Sequence, residues 1–276
     1  MSLSLFAAFV TLTNLCGSVS VDTHGARIVS YVPKGGSEVF ATFRDGTGGM
    51  PICAPWFASL GPVGGRRHGV ARYQDFTVVR LRENGDMSSL ELETCSDEAT
   101  RREFPYDYKV SVALRLGRTL SVALHVHNAG CEPMPVSPAF HPYFRVGDAP
   151  SCHVTGVGAE ALPVLPGPSH VYPFPTDRRT FALVDPVLGR TLEFGSGGDR
   201  QIAIWTPGES PSAASRAKTT STFAPGEWRG FVAVENGLLS AENIVQLKPG
   251  GTYILERTIR EVGASPCRRF SSQEAD

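Results

Sequence analysis

Apolar and polar residues alternate most clearly in the middle of the chain, where Val110, Val112, Leu114 and Leu116 are interleaved with Ser111, Ala113 and Arg115. After Gly117-Arg118, a second run puts Leu120, Val122, Leu124 and Val126 in one phase. Period-two alternation across a short glycine-containing turn predicts a β-hairpin with one buried face. Shorter runs of the same kind predict strands at Phe76–Leu81, Ser89–Glu93, Thr180–Val184, Gln201–Trp205, Phe231–Glu235 and Tyr253–Ile259. Clusters such as Pro33-Lys34-Gly35-Gly36, Glu83-Asn84-Gly85-Asp86 and Lys248-Pro249-Gly250-Gly251 separate them as turns. Many short strands, evenly punctuated, predict an all-β protein: a large antiparallel sandwich or barrel with few short helices.

Composition supports this reading. There are 29 glycines and 21 prolines among 276 residues, well above the ~12% of average usage. Each would cost about 1–3 kcal/mol inside a helix, which excludes helical bundles and coiled coils. A formal net charge of −1 provides no electrostatic footprint for nucleic acid. No compositional break marks a second domain, so residues 1–262 read as one domain and 263–276 as a polar tail. The stretch Gly208–Gly226, rich in Ser, Ala, Thr and Pro, reads as a long surface loop that is either functional or mobile. The opening segment is apolar but has no basic residue before Arg27, and polar residues interrupt it. It is therefore expected to form the first strands rather than a leader or membrane span. The six scattered cysteines are expected to be free, mostly buried thiols in a cytoplasmic protein.

Motifs for dinucleotides, P-loop phosphates, zincin metals and the serine elbow are all missing. His125 and His127, two apart on one strand, have a ligand-like spacing but fall on the solvated face of the hairpin, so no metal is expected. Four segments are unusual for mere scaffold. They are Gly48-Gly49-Met50-Pro51-Ile52-Cys53-Ala54-Pro55-Trp56-Phe57 followed by Arg66-Arg67-His68-Gly69-Val70-Ala71-Arg72, then Phe140-His141-Pro142-Tyr143-Phe144, Thr176-Asp177-Arg178, and Phe231-Val232-Ala233-Val234-Glu235-Asn236. Singly, each has a structural reading: His141 as a core histidine, Glu235 as a strand's exit to solvent, Arg66 and Arg67 as a solvated loop, Trp56 and Trp205 as core.

In this order the segments resemble the aldose 1-epimerase (mutarotase) family, particularly its hexose-6-phosphate branch. The stretch from Gly48 to Phe57 fits GG-x-P-x-x-x-P-x-F, and His68 to Arg72 fits H-G-x-A-R. His141-Pro142-Tyr143-Phe144 fits the family's His-x-Tyr-Phe, and Phe231–Glu235 fits its aliphatic strand ending in Glu. The resemblance implies a large antiparallel β-supersandwich of the galactose mutarotase type. It also implies interconversion of the α and β anomers of a hexose or hexose 6-phosphate by acid–base ring opening and closure, without a cofactor. One acid and one base would be held on opposite sides of a sugar carbon. By the matching, His141 protonates the ring oxygen, its pKa raised by a nearby carboxylate, and an ionised Glu235 takes the anomeric proton. His68, Arg72, Arg67 and Asp177 would hold hydroxyls or a phosphate, and Trp56 or Trp205 would stack on the ring.

Two positions depart from the pattern. Thr47 stands where the sugar-phosphate branch commonly has an arginine before the Gly-Gly pair, with Arg44, Arg66 and Arg67 as possible substitutes. Asn236 follows the glutamate at a position read as permissive. The alternative function is a non-catalytic carbohydrate-binding or sugar-sensing protein on the same fold. The expected partner is the hexose or hexose 6-phosphate itself, with no nucleic acid and no membrane, and the protein is expected to be a monomer or weak dimer.

Overall fold

The structure is a computed structural model that describes residues 9–174, 180–209 and 223–263. Two antiparallel sheets face each other. The larger has nine strands in the order Leu162–Pro163, His153–Thr155, Thr180–Asp185, Arg190–Gly197, Thr252–Glu261, Leu120–Asn128, Tyr108–Leu116, Ser88–Cys95, Thr77–Arg82. The smaller runs His170–Pro173, Gln201–Trp205, Phe231–Gly237, Ala139–Phe140, Ile52–Cys53, with Tyr143–Arg145 also paired to Phe231–Gly237. A three-stranded meander covers Phe9–Asn14, Gly17–Asp22 and Arg27–Pro33, so the apolar opening does supply strands. Among the described residues there is one α-helix, Glu98–Glu103, started by a reciprocal Asp97–Thr100 capping box. None of their helices is long and apolar enough to cross a membrane.

The hairpin forms in the predicted phase. Leu114 lies opposite Val122 and Val112 opposite Leu124, and these residues are buried while His125 and His127 are not. The two histidines hydrogen-bond to Ser111 and Thr252 as part of an outer surface. From the smaller sheet, Ile52, Phe140, Phe144, Ile202, Ile204, Val232 and Val234 join the same apolar cluster as the hairpin. The sheets are therefore glued by one face each, the arrangement that period-two strands permit. The other face of the smaller sheet is left for chemistry.

Cysteine usage departs from expectation. Cys53, Cys95, Cys131 and Cys152 are free, the first and last of them buried, whereas Cys16 is disulfide-bonded. Chain spacing alone does not reveal which cysteines meet in space.

Candidate active site

The central strand Phe231–Gly237 is buried along its whole length, yet its two faces differ. Val232, Val234 and Asn236 point into the intersheet core, while Phe231, Ala233 and Glu235 take the opposite face. Phe140 lies opposite Asn236 and Tyr143 opposite Ala233. The intervening His141 is thus brought opposite Glu235, as a cross-strand pair whose side chains meet. His141 Nε2 is 3.3 Å from Glu235 Oε1, with side-chain exposures of 10% and 4%. Around the pair the sheet is small-residued: Ala203 lies opposite Glu235, Trp205 and Tyr143 flank Ala233, and Ala139 lies opposite Cys53. Ala139 and Ala203 pack with Cys53, Phe57 and Leu239 beside the pair, and half-buried Trp205 and Tyr143 lie edge-on with ring centres 6.4 Å apart.

Gly48-Gly49 brings the neighbouring segment in. Gly49 has φ +72°, and a Cβ there would lie 2.2 Å from the Ile28 carbonyl oxygen, so only glycine fits. Its carbonyl accepts from Tyr143 N–H at 2.8 Å, and Pro51 O accepts from His141 N–H at 3.0 Å. The His-Gly pair is equally constrained. His68 has φ +69°, and a Cβ on Gly69 would lie 2.1 Å from the Ala54 carbonyl oxygen. This turn places the His68 ring edge-on to His141, 5.0 Å between centroids. Ala58 N–H donates to His68 Nδ1 at 3.2 Å, beside Cys53 Sγ at 3.3 Å. Nδ1 therefore carries no proton, and Nε2–H is the donor the ring presents.

The electrostatics reverse the expected ionisation. Burial pushes His141 down to about 3, helped by the charges of Arg72 and then Arg67. Burial pushes Glu235 up to about 8, against the attraction of Arg67, Arg257 and Arg72. Desolvation of the charged forms outweighs the mutual attraction that would have raised the histidine and kept the glutamate ionised. At neutral pH the pair thus shares a single proton, held on Glu235. Two of its buried atoms, His141 Nδ1 and Glu235 Oε2, have no hydrogen-bond partner, a costly arrangement that a hydroxyl-rich ligand would relieve.

Residues 9–173 match the sequence pattern of the family described as "Aldose 1-epimerase". The chain belongs to the aldose 1-epimerase family. It is 27% identical over 248 residues to an Escherichia coli protein named "Putative glucose-6-phosphate 1-epimerase", covering 82% of this chain and 81% of that protein. A solved mutarotase-type structure from Salmonella typhimurium superposes with a TM-score of 0.80 at 24% identity, covering 92% of this chain and 90% of the other. A galactose mutarotase-like protein from Lactobacillus casei superposes with a TM-score of 0.75 at 18% identity, covering 92% and 100%. The supersandwich fold is therefore that of the mutarotases.

Within this epimerase-family framework, the sequence-derived candidates separate. His141, Glu235 and His68 converge, and the charges of Arg67 and Arg72 act on both members of the pair. Arg66 turns away, bound to Glu103 at 2.8 Å. Thr47 donates its hydroxyl to Asp45, and Arg44 is exposed beside it. Asp177 and most of the Gly208–Gly226 loop lie outside the described residues.

Trp56 is held in the core. It is 2% exposed, packs on Phe104 at 5.2 Å, and donates its indole N–H to Arg66 O at 3.0 Å. Its ring borders an apolar groove of about 370 Å³ with Leu60, Phe104, Tyr106 and Ile244. The GG-x-P motif fixed its backbone, but the side-chain direction was set by tertiary packing. Trp56→Phe is accordingly expected to cost roughly 1–3 kcal/mol in a denaturant melt, through lost volume and a lost hydrogen bond, with KM for sugar unchanged. A raised KM without loss of stability would restore Trp56 to the cleft.

Proposed function

We propose that this chain interconverts the α and β anomers of a hexose by acid–base ring opening, with hexose 6-phosphates as its preferred substrates. The observation that carries the reading is the buried His141–Glu235 contact, with His68 edge-on to the same histidine. The ring oxygen and the anomeric hydroxyl of a pyranose are bonded to the same carbon. An acid and a base for these two atoms can therefore be close neighbours, and the 3.3 Å pair offers one of each.

One proton on the pair is the inventory the reaction needs. One member gives its proton to the ring oxygen as the other takes the hydroxyl proton, and the C1–ring oxygen bond breaks to leave an aldehyde. After rotation about C1–C2 the ring hydroxyl attacks C1 from the other side. Each member then reverses its transfer, and the pair returns to its starting state. By the family matching, His141 serves the ring oxygen and Glu235 the hydroxyl. The proton that burial places on Glu235 reaches His141 through their direct contact. His68 Nε2–H donates to a sugar oxygen, and Trp205 offers the ring an apolar face.

Two observations support a phosphorylated substrate: Arg67 and Arg72 are close enough for their charges to act on the pair, and the Escherichia coli relative's name specifies glucose 6-phosphate. Guanidinium suits phosphate through paired charged hydrogen bonds. The test is α/β anomer exchange followed by NMR saturation transfer on glucose, galactose and glucose 6-phosphate. Faster exchange of glucose 6-phosphate alone is expected. Arg67→Ala and Arg72→Ala are each expected to raise its KM by about tenfold or more, the worth of a charge-assisted hydrogen bond. Acceleration of free sugars with no effect of either arginine would move the assignment to an unphosphorylated aldose. If no sugar is accelerated but glucose 6-phosphate binds, the chain is a carbohydrate-binding protein instead.

A further inference from the structure

One buried charge lies behind the sheet, on the side away from the sugar. Arg257 sits on the Thr252–Glu261 strand in the inward phase with Leu255 and Ile259, and is 0% exposed. A guanidinium buried among apolar residues is destabilising by several kcal/mol unless it is well accommodated. Three aromatic faces surround it: its central carbon is 4.5 Å from the ring centre of Phe194, 5.2 Å from Phe181 and 5.4 Å from Phe144.

From this cage one nitrogen, Nη1, reaches the smaller sheet. It donates to Val234 O at 2.7 Å and to Asn236 Oδ1 at 2.9 Å. Those two residues bracket Glu235. The Val234 carbonyl is available for a specific reason. The N–H groups of His141 and Tyr143 turn toward Pro51 and Gly49, so Phe140, Pro142 and Phe144 face the central strand. Phe140 and Phe144 lie opposite Asn236 and Val232, which puts Pro142 opposite Val234, and proline has no N–H to give. The guanidinium takes the place of the missing ladder donor.

We propose that Arg257 is a positioning residue for Glu235, clamping the catalytic strand from its rear face and setting a fixed positive charge behind the carboxyl. The role rests on the epimerase reading of Glu235. It also gives Asn236, read from sequence as a permissive position, a defined task as an acceptor of the clamp. The charge opposes the effect of burial on Glu235, alongside Arg67 and Arg72 from the sugar side. His141, Tyr143 and Cys53 are the other titratable groups facing the carboxyl, and Asp199 is a second acid that shares the charge of Arg257.

Two variants test this. Arg257→Lys keeps the charge but is shorter and lacks the planar guanidinium, so its nitrogen falls short of the Nη1 position between the two acceptors, and Arg257→Met fills the cage without charge. Folded Arg257→Lys is expected to lose about tenfold in kcat, and Arg257→Met up to about a hundredfold, the range for small misplacements of a reacting group, with little change in KM. A purely structural arginine would not move the ionisation of Glu235. Here the Glu235 carboxyl signal, followed by carbon-13 NMR against pH, is expected to titrate at higher pH in Arg257→Met and close to wild type in Arg257→Lys. If both variants fold with unchanged kcat and unchanged titration, the proposal is overturned. If Arg257→Met does not fold, unchanged kcat in Arg257→Lys overturns it alone. Should the wild-type protein accelerate no sugar, the epimerase reading fails, while the titration still decides whether Arg257 governs Glu235.

Discussion

Glu235→Gln is expected to lower kcat for anomer exchange by roughly 10²–10⁴-fold, the span of positioned acid–base catalysis, and to yield a protein more heat-stable at pH 8 than the wild type. The amide matches the carboxyl in shape and hydrogen-bonds to His141 Nε2, but it carries no transferable proton. The stability gain follows from linkage. Burial raises the Glu235 pKa from 4.5 to about 8, so the folded state binds a proton that the unfolded state has released between those values. Stability is therefore lost as pH rises from 4.5 toward 8, and glutamine escapes this loss. Melting temperatures at pH 5 and pH 8 check it: the advantage of the variant should be large at pH 8 and fade toward pH 4.5. Retained activity, or an advantage that grows as pH falls, would sink the assignment. A site that stores instability for function is the usual trade between stability and activity.

His141→Asn has an effect of similar size on rate, about 10²–10⁴-fold, and the opposite signature in pH. The wild-type rate should be level while the pair holds one proton. It should fall above about pH 8 as Glu235 loses its proton, and below about pH 3 as His141 gains a second. Burial lowers His141 from 6.5 to about 3, so between those values the unfolded state binds the extra proton. The wild type is then destabilised as pH falls through that window, and stability recovers as pH rises toward 6.5. Removing the imidazole removes this acid-side loss. Relative to wild type, His141→Asn should gain stability on going from pH 7 to pH 4, where Glu235→Gln shows its gain on the alkaline side. Identical pH trends in the two variants would mean that the buried pair does not divide its ionisation in this way. A rate profile with no alkaline limb would remove Glu235 from the proton transfer.

The candidate site was legible through motifs, with strand periodicity adding only the face on which each residue falls. Phe231, Ala233 and Glu235 fall in one phase and Val232 and Val234 in the other, but it is the resemblance to the epimerase family, not this alternation, that singles out Glu235, which by itself reads as the strand's exit to solvent. The glycines of the Gly48-Gly49 and His68-Gly69 segments marked close backbone approaches, which the positive φ values and carbonyl contacts explain. Arg257 went unnoticed although its signal was present: within Tyr253–Ile259 it occupies the apolar phase between Leu255 and Ile259. A charge in the inward phase of a strand is the pattern to look for.

What the chain by itself determined was local and periodic: the strands, their turns, the two faces of each strand and the residue types able to move a proton. Tertiary structure alone decided which of these met. The register set His141 opposite Glu235 at 3.3 Å, and packing turned Trp56 into the core while Trp205 stayed beside the cleft. Ion pairing drew Arg66 to Glu103, while the charge of Arg67 acts on the pair. Burial then inverted the expected ionisation. Periodicity is a property of one strand, whereas pairing, desolvation and the field at a carboxyl belong to neighbours distant in sequence, and no local pattern encodes them.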